Sequence, residues 1–188
     1  MEKIRYKITG TRPLIICNSR LANPLDPVVR EIKKITDKKK KTDEDLTEKL
    51  RMQWKGALYL NEKGQVVIPS DNVWKAMLEG ARKSKSGKQV ESGVMADALD
   101  YVLDYQGPKD VNKLIETEAF DIRMCGLRGS RIPVARPFFR TWSLAVGFHY
   151  EPSVINSETI DEAMMAAGEL VGLGTYRSKY GRFEVERL

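Results

Sequence analysis

The sequence predicts an α+β chain, a ferredoxin-like antiparallel sheet with helices on one face, and three observations carry that prediction. Trp142, Leu144, Val146, Phe148 and Tyr150 alternate with Thr141, Ser143, Ala145, Gly147 and His149, the period of two that marks a half-buried strand. Directly after it, Ile160, Ala163, Met164, Ala167, Leu170 and Val171 recur at helical spacing, and Arg182 to Arg187 alternates again, so the last third reads strand, helix, strand. Lys3 to Thr9 alternates around Ile4, Tyr6 and Ile8 and supplies a first strand. Strands and helices mixed in this order bury their apolar faces by packing the helices onto one side of a sheet.

The remaining elements follow in order. The first strand bends near Gly10 and Pro13 and continues into the apolar run Pro13 to Cys17. Asn18 to Leu25 is turn-like, and Asp26 before Pro27 is an N-cap and N1 pair opening a helix to about Ile35. Thr42 with Asp45 forms a capping box ahead of Leu46, Leu50, Trp54 and Leu58, which gives a second helix over about 43–57. Leu58 to Leu60 and Gln65 to Ile68 flank the turn Asn61 to Gly64 and predict a β-hairpin. Pro69 stops that strand, and Ser70 or Asp71 caps a helix with the stripe Val73, Trp74, Met77, Leu78 and Ala81. Arg82 to Lys88 reads as a basic, flexible tract, and Tyr101 to Tyr105 as a short strand ended by Gly107-Pro108. Thr159 and Glu162 predict a capping box for the late helix, which ends at Gly172. The organisation is a single domain over 1–188, with a helical insertion at about 26–57 and an irregular basic insertion at about 82–137.

Composition narrows the function. At 188 residues, 41% apolar and 31% charged, the chain builds one core and is not wholesale disordered. It has no apolar run long enough to span a membrane, and Met1 to Arg5 lacks a leader's apolar segment, so a cytoplasmic location is expected. Two cysteines, Cys17 and Cys125, and one histidine, His149, exclude disulfide frameworks and Cys/His metal sites, and no cofactor is expected. Gly87-Lys88-Gln89 lacks the hydroxyl residue and upstream glycine of a P-loop. Gly172-x-Gly174 follows a helix, the wrong context for a dinucleotide fingerprint. Lys and Arg number 32 against 26 Asp and Glu, a formal net charge of +6, which suits an acidic partner wherever the cations cluster.

Three clusters stand out. In Gly172 to Phe183, glycines admit close backbone approach, Arg177, Lys179 and Arg182 supply cations, and Tyr176 and Tyr180 supply stacking faces, a set that suits single-stranded nucleic acid. The plain alternative is a helix cap followed by a solvated turn. Arg123, Arg128, Arg131, Arg136 and Arg140 lie in a Gly- and Pro-bearing stretch read as an irregular loop, and arginine favours forked phosphate contacts. Those arginines could equally meet acids on neighbouring elements or at an oligomer interface. Arg82, Lys83, Lys85 and Lys88 form the third, with complementing a helix dipole as the alternative. Lys33, Lys34 and Lys38 to Lys41 face Asp37, Asp43, Glu44 and Asp45 and read as a solvated face, while Trp54, Trp74 and Trp142 fall on core stripes.

Ile68-Pro69-Ser70-Asp71-Asn72-Val73-Trp74-Lys75-Ala76 resembles the I-P-G-S-S helix entry of the RAMP superfamily, CRISPR-associated proteins built on RRM-like ferredoxin folds. The late glycine-rich loop resembles that superfamily's other hallmark, and the order of the two matches. Asn23 to Val29 is similar to the loop ahead of the I-P motif in crRNA-binding backbone subunits. Asp71-Asn72 in place of Ser-Ser, Ala76 in place of glycine, and Gly181-Arg182-Phe183 in place of a closing Gly-x-Gly mark a divergent relative.

The resemblance implies a non-enzymatic protein that lays single-stranded RNA or DNA along its sheet or palm, tolerant of sequence, with self-association or related subunits as further partners and no membrane. Its site residues are then Arg82, Lys83, Lys85, Lys88, Arg128, Arg131, Arg136, Tyr176, Arg177, Lys179, Tyr180 and Arg182. Asp26 resembles in position the loop aspartate of metal-dependent RNA cleavage in some backbone subunits, so an endoribonuclease is the second reading, although the same residue suits an N-cap. His149, the one imidazole available as a general base, sits on the strand face opposite Trp142. A protein-binding or inhibitory mimic of a CRISPR subunit is the third reading. Spacing leaves RNA against DNA open.

Overall fold

The computed structural model describes residues 1–117, 120–127 and 130–188. In chain order its elements are β1 (Glu2–Gly10), β2 (Leu14–Ile15), α1 (Pro27–Thr36), α2 (Asp43–Ala57), β3 (Val67–Pro69), α3 (Ser70–Ala81), α4 (Gly87–Gly93) and β4 (Val94–Ala96). There follow β5 (Asp100–Val102), β6 (Asp104–Tyr105), α5 (Val111–Glu116), β7 (Phe120–Leu127), β8 (Ser130–Phe139), β9 (Trp142–Tyr150), α6 (Ser157–Ala166) and β10 (Phe183–Arg187). The class is α+β, and the chain divides into two compact units. The first holds Met1–Leu14, Leu60–Gln106 and Phe139–Leu188, the second Ile15–Tyr59 and Gly107–Phe138.

The first unit is built on an antiparallel sheet in the order β10-β1-β9-β4, with β6 also paired to β9. Alternation fixes its register: Ile4 lies opposite Phe148 and Ile8 opposite Leu144, so every large apolar residue of β1 and β9 points to one side. Tyr6, Ile8, Trp142, Leu144 and Phe148 are almost completely buried there. Each large side chain so placed contributes about 1.5–3 kcal/mol over leaving it in water. In chain order, α3 lies between β1 and β4 and α6 between β9 and β10, and the two helices pack on each other. Gly80 sets how closely they approach, since a Cβ there would stand 2.4 Å from the Ala163 carbonyl oxygen.

Local chemistry corrects several expectations. The hairpin across 58–68 reduces to a single bridge, Leu60 to Val66, because Asn61 closes the turn with its own side chain and β3 takes β5 as its partner, Ile68 opposite Tyr101. Pro69, not Ser70 or Asp71, is the N-cap of α3; Ser70 is helical and buried. Asn156, whose side chain accepts the Thr159 N–H at 2.8 Å, caps α6 in place of a Thr159–Glu162 box. The tract after α3 is not loose: Ser84 and Ser86 both donate to the Ala81 carbonyl at 3.1 Å, tying Arg82–Ser84 into a tight turn before α4.

The second unit pairs α1 with α2 and holds α5 and the β7–β8 ladder. Asp26 caps α1 by accepting the Val28 N–H at 2.9 Å, and Thr42 with Asp45 makes the reciprocal box of α2. Trp54 is fully buried in this unit. The stretch expected to be irregular forms instead a long antiparallel ladder, from Leu127 opposite Ser130 to Phe120 opposite Pro137. Its two prolines do no damage there. Ala135 sends its N–H away from β7 toward the Gln53 side chain, and Pro133 and Pro137 share that parity, so β7 is deprived of no donor.

Candidate nucleic-acid interface

The glycine-rich segment between α6 and β10 is held by its own backbone. The last turn of the helix widens at Ala167–Val171, and Gly172 donates to the Ala167 carbonyl at 2.7 Å. Leu173 then donates to Gly181, Ser178 to Val171, and Gly181 to Pro13, at 2.8–2.9 Å. Gly181 has φ +69°, and a Cβ there would fall 2.0 Å from the Leu173 carbonyl oxygen, so only glycine closes this loop. Tyr176 (φ 55°) and Ser178 (φ 58°) also lie in the left-handed region. Strained backbone of this kind costs about 1–3 kcal/mol per residue and persists where its surroundings over-determine it. The residue between the two is Arg177.

Two grooves flank this loop and meet at Ser178. One, of about 720 Å³, is lined by Arg12 just past β1, by Lys179, Tyr180 and Arg182 from the loop, and by Glu169 and Glu184. Lys179 stands 6.0 Å from the Tyr180 ring centre, and Arg182 donates to the Ser178 carbonyl at 2.6 Å. The other, of about 420 Å³, is lined by Arg82 and Lys83 from the turn after α3, by Leu170 and Val171, and by Arg177, which pairs with Glu79 at 3.2 Å. Two stretches far apart in sequence thus supply one cationic surface. Of the other expected members, Tyr176 is 42% exposed, and Lys85 and Lys88 are exposed, but none of the three lines either groove. Arg12 was missed by sequence reading, because an isolated arginine beside Pro13 carries no pattern.

The outward sheet face is poorer in net charge than its sequence promises. Lys3, Arg5 and Lys7 project from β1 beside Ala145, Gly147 and His149 of β9. Glu186 stands opposite Lys7 and Glu184 opposite Thr9 on β10, while Asp97 covers Gly147 and approaches Arg5 at 4.0 Å. Three acids therefore balance three bases. RRM sheets stack bases on aromatic side chains, and among the described residues of β1 and β9 the outward positions carry no Phe, Tyr or Trp, with His149 the one ring among them. His149 is half-buried between Lys3 and Met95 of the neighbouring strands.

In the second unit, Arg131 is exposed and Arg136 half-buried on β8, on a ladder that also exposes Ile122 and Met124. Arg128 lies outside the described residues. Arg123 pairs with Asp121, while Lys34 pairs with Glu31 at 2.6 Å and Lys38 with Asp45 at 2.5 Å, the paired and solvated state read for the lysine run. Both carboxylate oxygens of Asp26 are engaged by Arg20, at 2.9 and 3.1 Å, in addition to its cap bond. The Arg20 guanidinium first of all, and the Val28 N–H, hold that carboxyl below the usual range. Burial pushes the Cys17 thiol up. Among the described residues, no cluster of His, Cys, Asp and Glu could hold a metal ion, and no helix is long and apolar enough to cross a membrane.

No protein-family model matches the chain, and no curated protein matches it. Among solved structures, it is similar to a chain in the cryo-EM structure of the Type III-B Cmr-beta bound to cognate target RNA, with a TM-score of 0.54 and 13% identity. The match covers 99% of this chain and 60% of that one, so this chain spans about three-fifths of the solved chain's length. The likeness is one of fold.

Proposed function

We propose that the chain binds single-stranded nucleic acid, RNA by preference, as a divergent RAMP-type subunit whose contact surface is the pair of grooves on either side of the glycine-rich loop. The observation that carries this reading is the convergence of Arg82 and Lys83 with Arg177 on one groove, continuous at Ser178 with that of Arg12, Lys179 and Arg182. The run of β1, α3, β4, β9, α6 and β10 in the order β10-β1-β9-β4 supports a ferredoxin-like reading of the first unit. The fold's likeness to a chain of an RNA-bound assembly supports RNA as ligand and related subunits, or further copies of this chain, as protein partners. Phosphates meet the six groove cations and Tyr180 offers a stacking face; on the second unit, taken by itself, Arg131 and Arg136 are further candidate phosphate contacts. Binding of this kind follows charge and base planes more than sequence.

The test is fluorescence anisotropy of labelled single-stranded RNA, single-stranded DNA and duplex DNA of equal length across a salt series. With six cations engaged, log affinity for a single strand falls with log salt at a slope of about −4. Arg82→Ala and Arg182→Ala each weaken all single strands together and flatten the slope by about 0.7. Affinity without salt dependence, or no preference for single strands over duplex, overturns the reading.

A further inference from the structure

Glu79 is the one acid lining the groove that holds Arg82, Lys83 and Arg177, and it sits one turn before the end of α3. Its Oε1 takes Arg177 Nη1 at 3.2 Å, with about a third of each side chain still open to solvent. We infer that Glu79 is a built-in competitor for phosphate at Arg177, so that nucleic acid binds this groove by taking Arg177 from Glu79. The inference rests on the binding function proposed above and adds to it a residue that sets its strength.

Three features lead there. A groove for polyanions gains nothing from a carboxylate at its wall, since that charge repels phosphate and cancels one of three cations. The contact is an ion pair, Arg177 Nη1 to Glu79 Oε1 at 3.2 Å, with both side chains about a third exposed. A half-open pair of this kind is weak enough to be displaced. The backbone is also fixed where it matters: Tyr176 and Ser178, both left-handed, hold Arg177 between them, and Ser178 donates to Val171 at 2.9 Å. The loop backbone is thus tied beside Arg177, and exchange of partners needs only the guanidinium to move. A ligand must outbid Glu79, which weakens short or sparsely charged strands most and leaves the grooves selective for strands that engage both at once.

The experiment uses the full chain and a fluorescein-labelled oligouridine RNA, with Glu79→Gln, Arg177→Ala and the double variant, and Glu62→Gln on the exposed Asn61–Gly64 turn as a control for net charge. Circular dichroism melts confirm that each is folded. Glu79→Gln is expected to tighten binding about two- to fivefold, the span that the ordinary worth of such an exposed pair allows. Its salt slope stays near that of wild type, because the same six cations meet phosphate in both. In the Arg177→Ala background the gain shrinks, because the pair no longer exists and only the repulsion between Glu79 and phosphate is relieved, while Glu62→Gln reads the effect of net charge alone. An equal gain from Glu79→Gln with or without Arg177, or no gain on a wild type that binds with normal salt dependence, overturns the role of Glu79 and leaves the binding function standing. Absence of salt-sensitive binding by both wild type and Glu79→Gln overturns the two together.

Discussion

Replacing Gly80 by alanine tests whether the close approach of α3 and α6 is what builds the groove. In an exposed helix interior the change would stabilise by about 1 kcal/mol, because alanine is the better helix former. Here the added methyl lands 2.4 Å from the Ala163 carbonyl oxygen, 2.7 Å from the Ala167 nitrogen and 3.1 Å from its Cα. All three are backbone atoms, so no side chain can swing aside. Ordinary contact begins at 3.4 Å, and relieving the shortest contact needs 3.4 − 2.4 = 1.0 Å of separation. Overpacking of this kind costs about 1–3 kcal/mol, enough to outweigh the propensity gain and leave a net loss of about 1 kcal/mol. Urea unfolding followed by circular dichroism reads it as a drop in midpoint of about 0.5 M, for a slope near 2 kcal/mol/M. Affinity for single-stranded RNA should fall as well, since Arg82 and Lys83 follow the end of α3 while Arg177 follows α6. A midpoint equal to or above wild type refutes the reasoning, because the methyl would then have found room that the packing denies.

Three further predictions test other parts of the structure. Gly181→Ala meets both a left-handed φ and the Leu173 carbonyl oxygen, so the melting temperature and RNA affinity should fall together; an unchanged pair of values would show that the loop closes in another way. Tyr101 donates to the Gly147 carbonyl at 2.5 Å, and its burial, with the Asp97 carboxylate beside it, pushes its phenol up to about 12. The raised value means that its contribution is present below about pH 10, where the unfolded phenol titrates, and is lost as pH climbs toward 12; Tyr101→Phe should flatten that alkaline loss in a melt series, and an identical profile would count against it. Asp26 has a depressed carboxyl, so its contribution exists above about pH 4 and disappears as pH falls below it. Asp26→Asn keeps a competent cap but loses the Arg20 ion pair, and its melting deficit at neutral pH should vanish in acid; a deficit that persists there means the pair is not its source.

Much of the first unit was legible because its strands are one-sided. Alternation in Lys3 to Thr9 and Thr141 to Tyr150 placed β1 and β9 within a residue of their limits, and the Asp26-Pro27 and Thr42–Asp45 pairs marked helix starts through hydrogen bonds local to the chain. Some misses were local, such as Asn156 capping α6, but the larger ones depended on distant partners. Val67 and Ile68 pair with Tyr101 and Val102 rather than with the nearby Leu58 to Leu60, and only the long-range ladder decides that. The prolines of 130–139 looked like loop residues because sequence shows their number but not their parity. Position 135 reveals it: a residue whose N–H leaves β7 marks Pro133 and Pro137 as harmless.

Charge shows the same division between what is local and what is not. Lys3, Arg5 and Lys7 make a regular basic stripe along one face of β1. The acids that balance it, Glu184 and Glu186, come from the opposite end of the chain, and Asp97 from its middle. Around the glycine-rich loop, six cations line two grooves against three acids, and one of those acids is engaged with Arg177. A polyanion gains counterion release only where cations outnumber carboxylates on one surface. That difference in local balance, rather than the density of lysine and arginine, is why the proposed contact surface lies at the loop and not on the sheet.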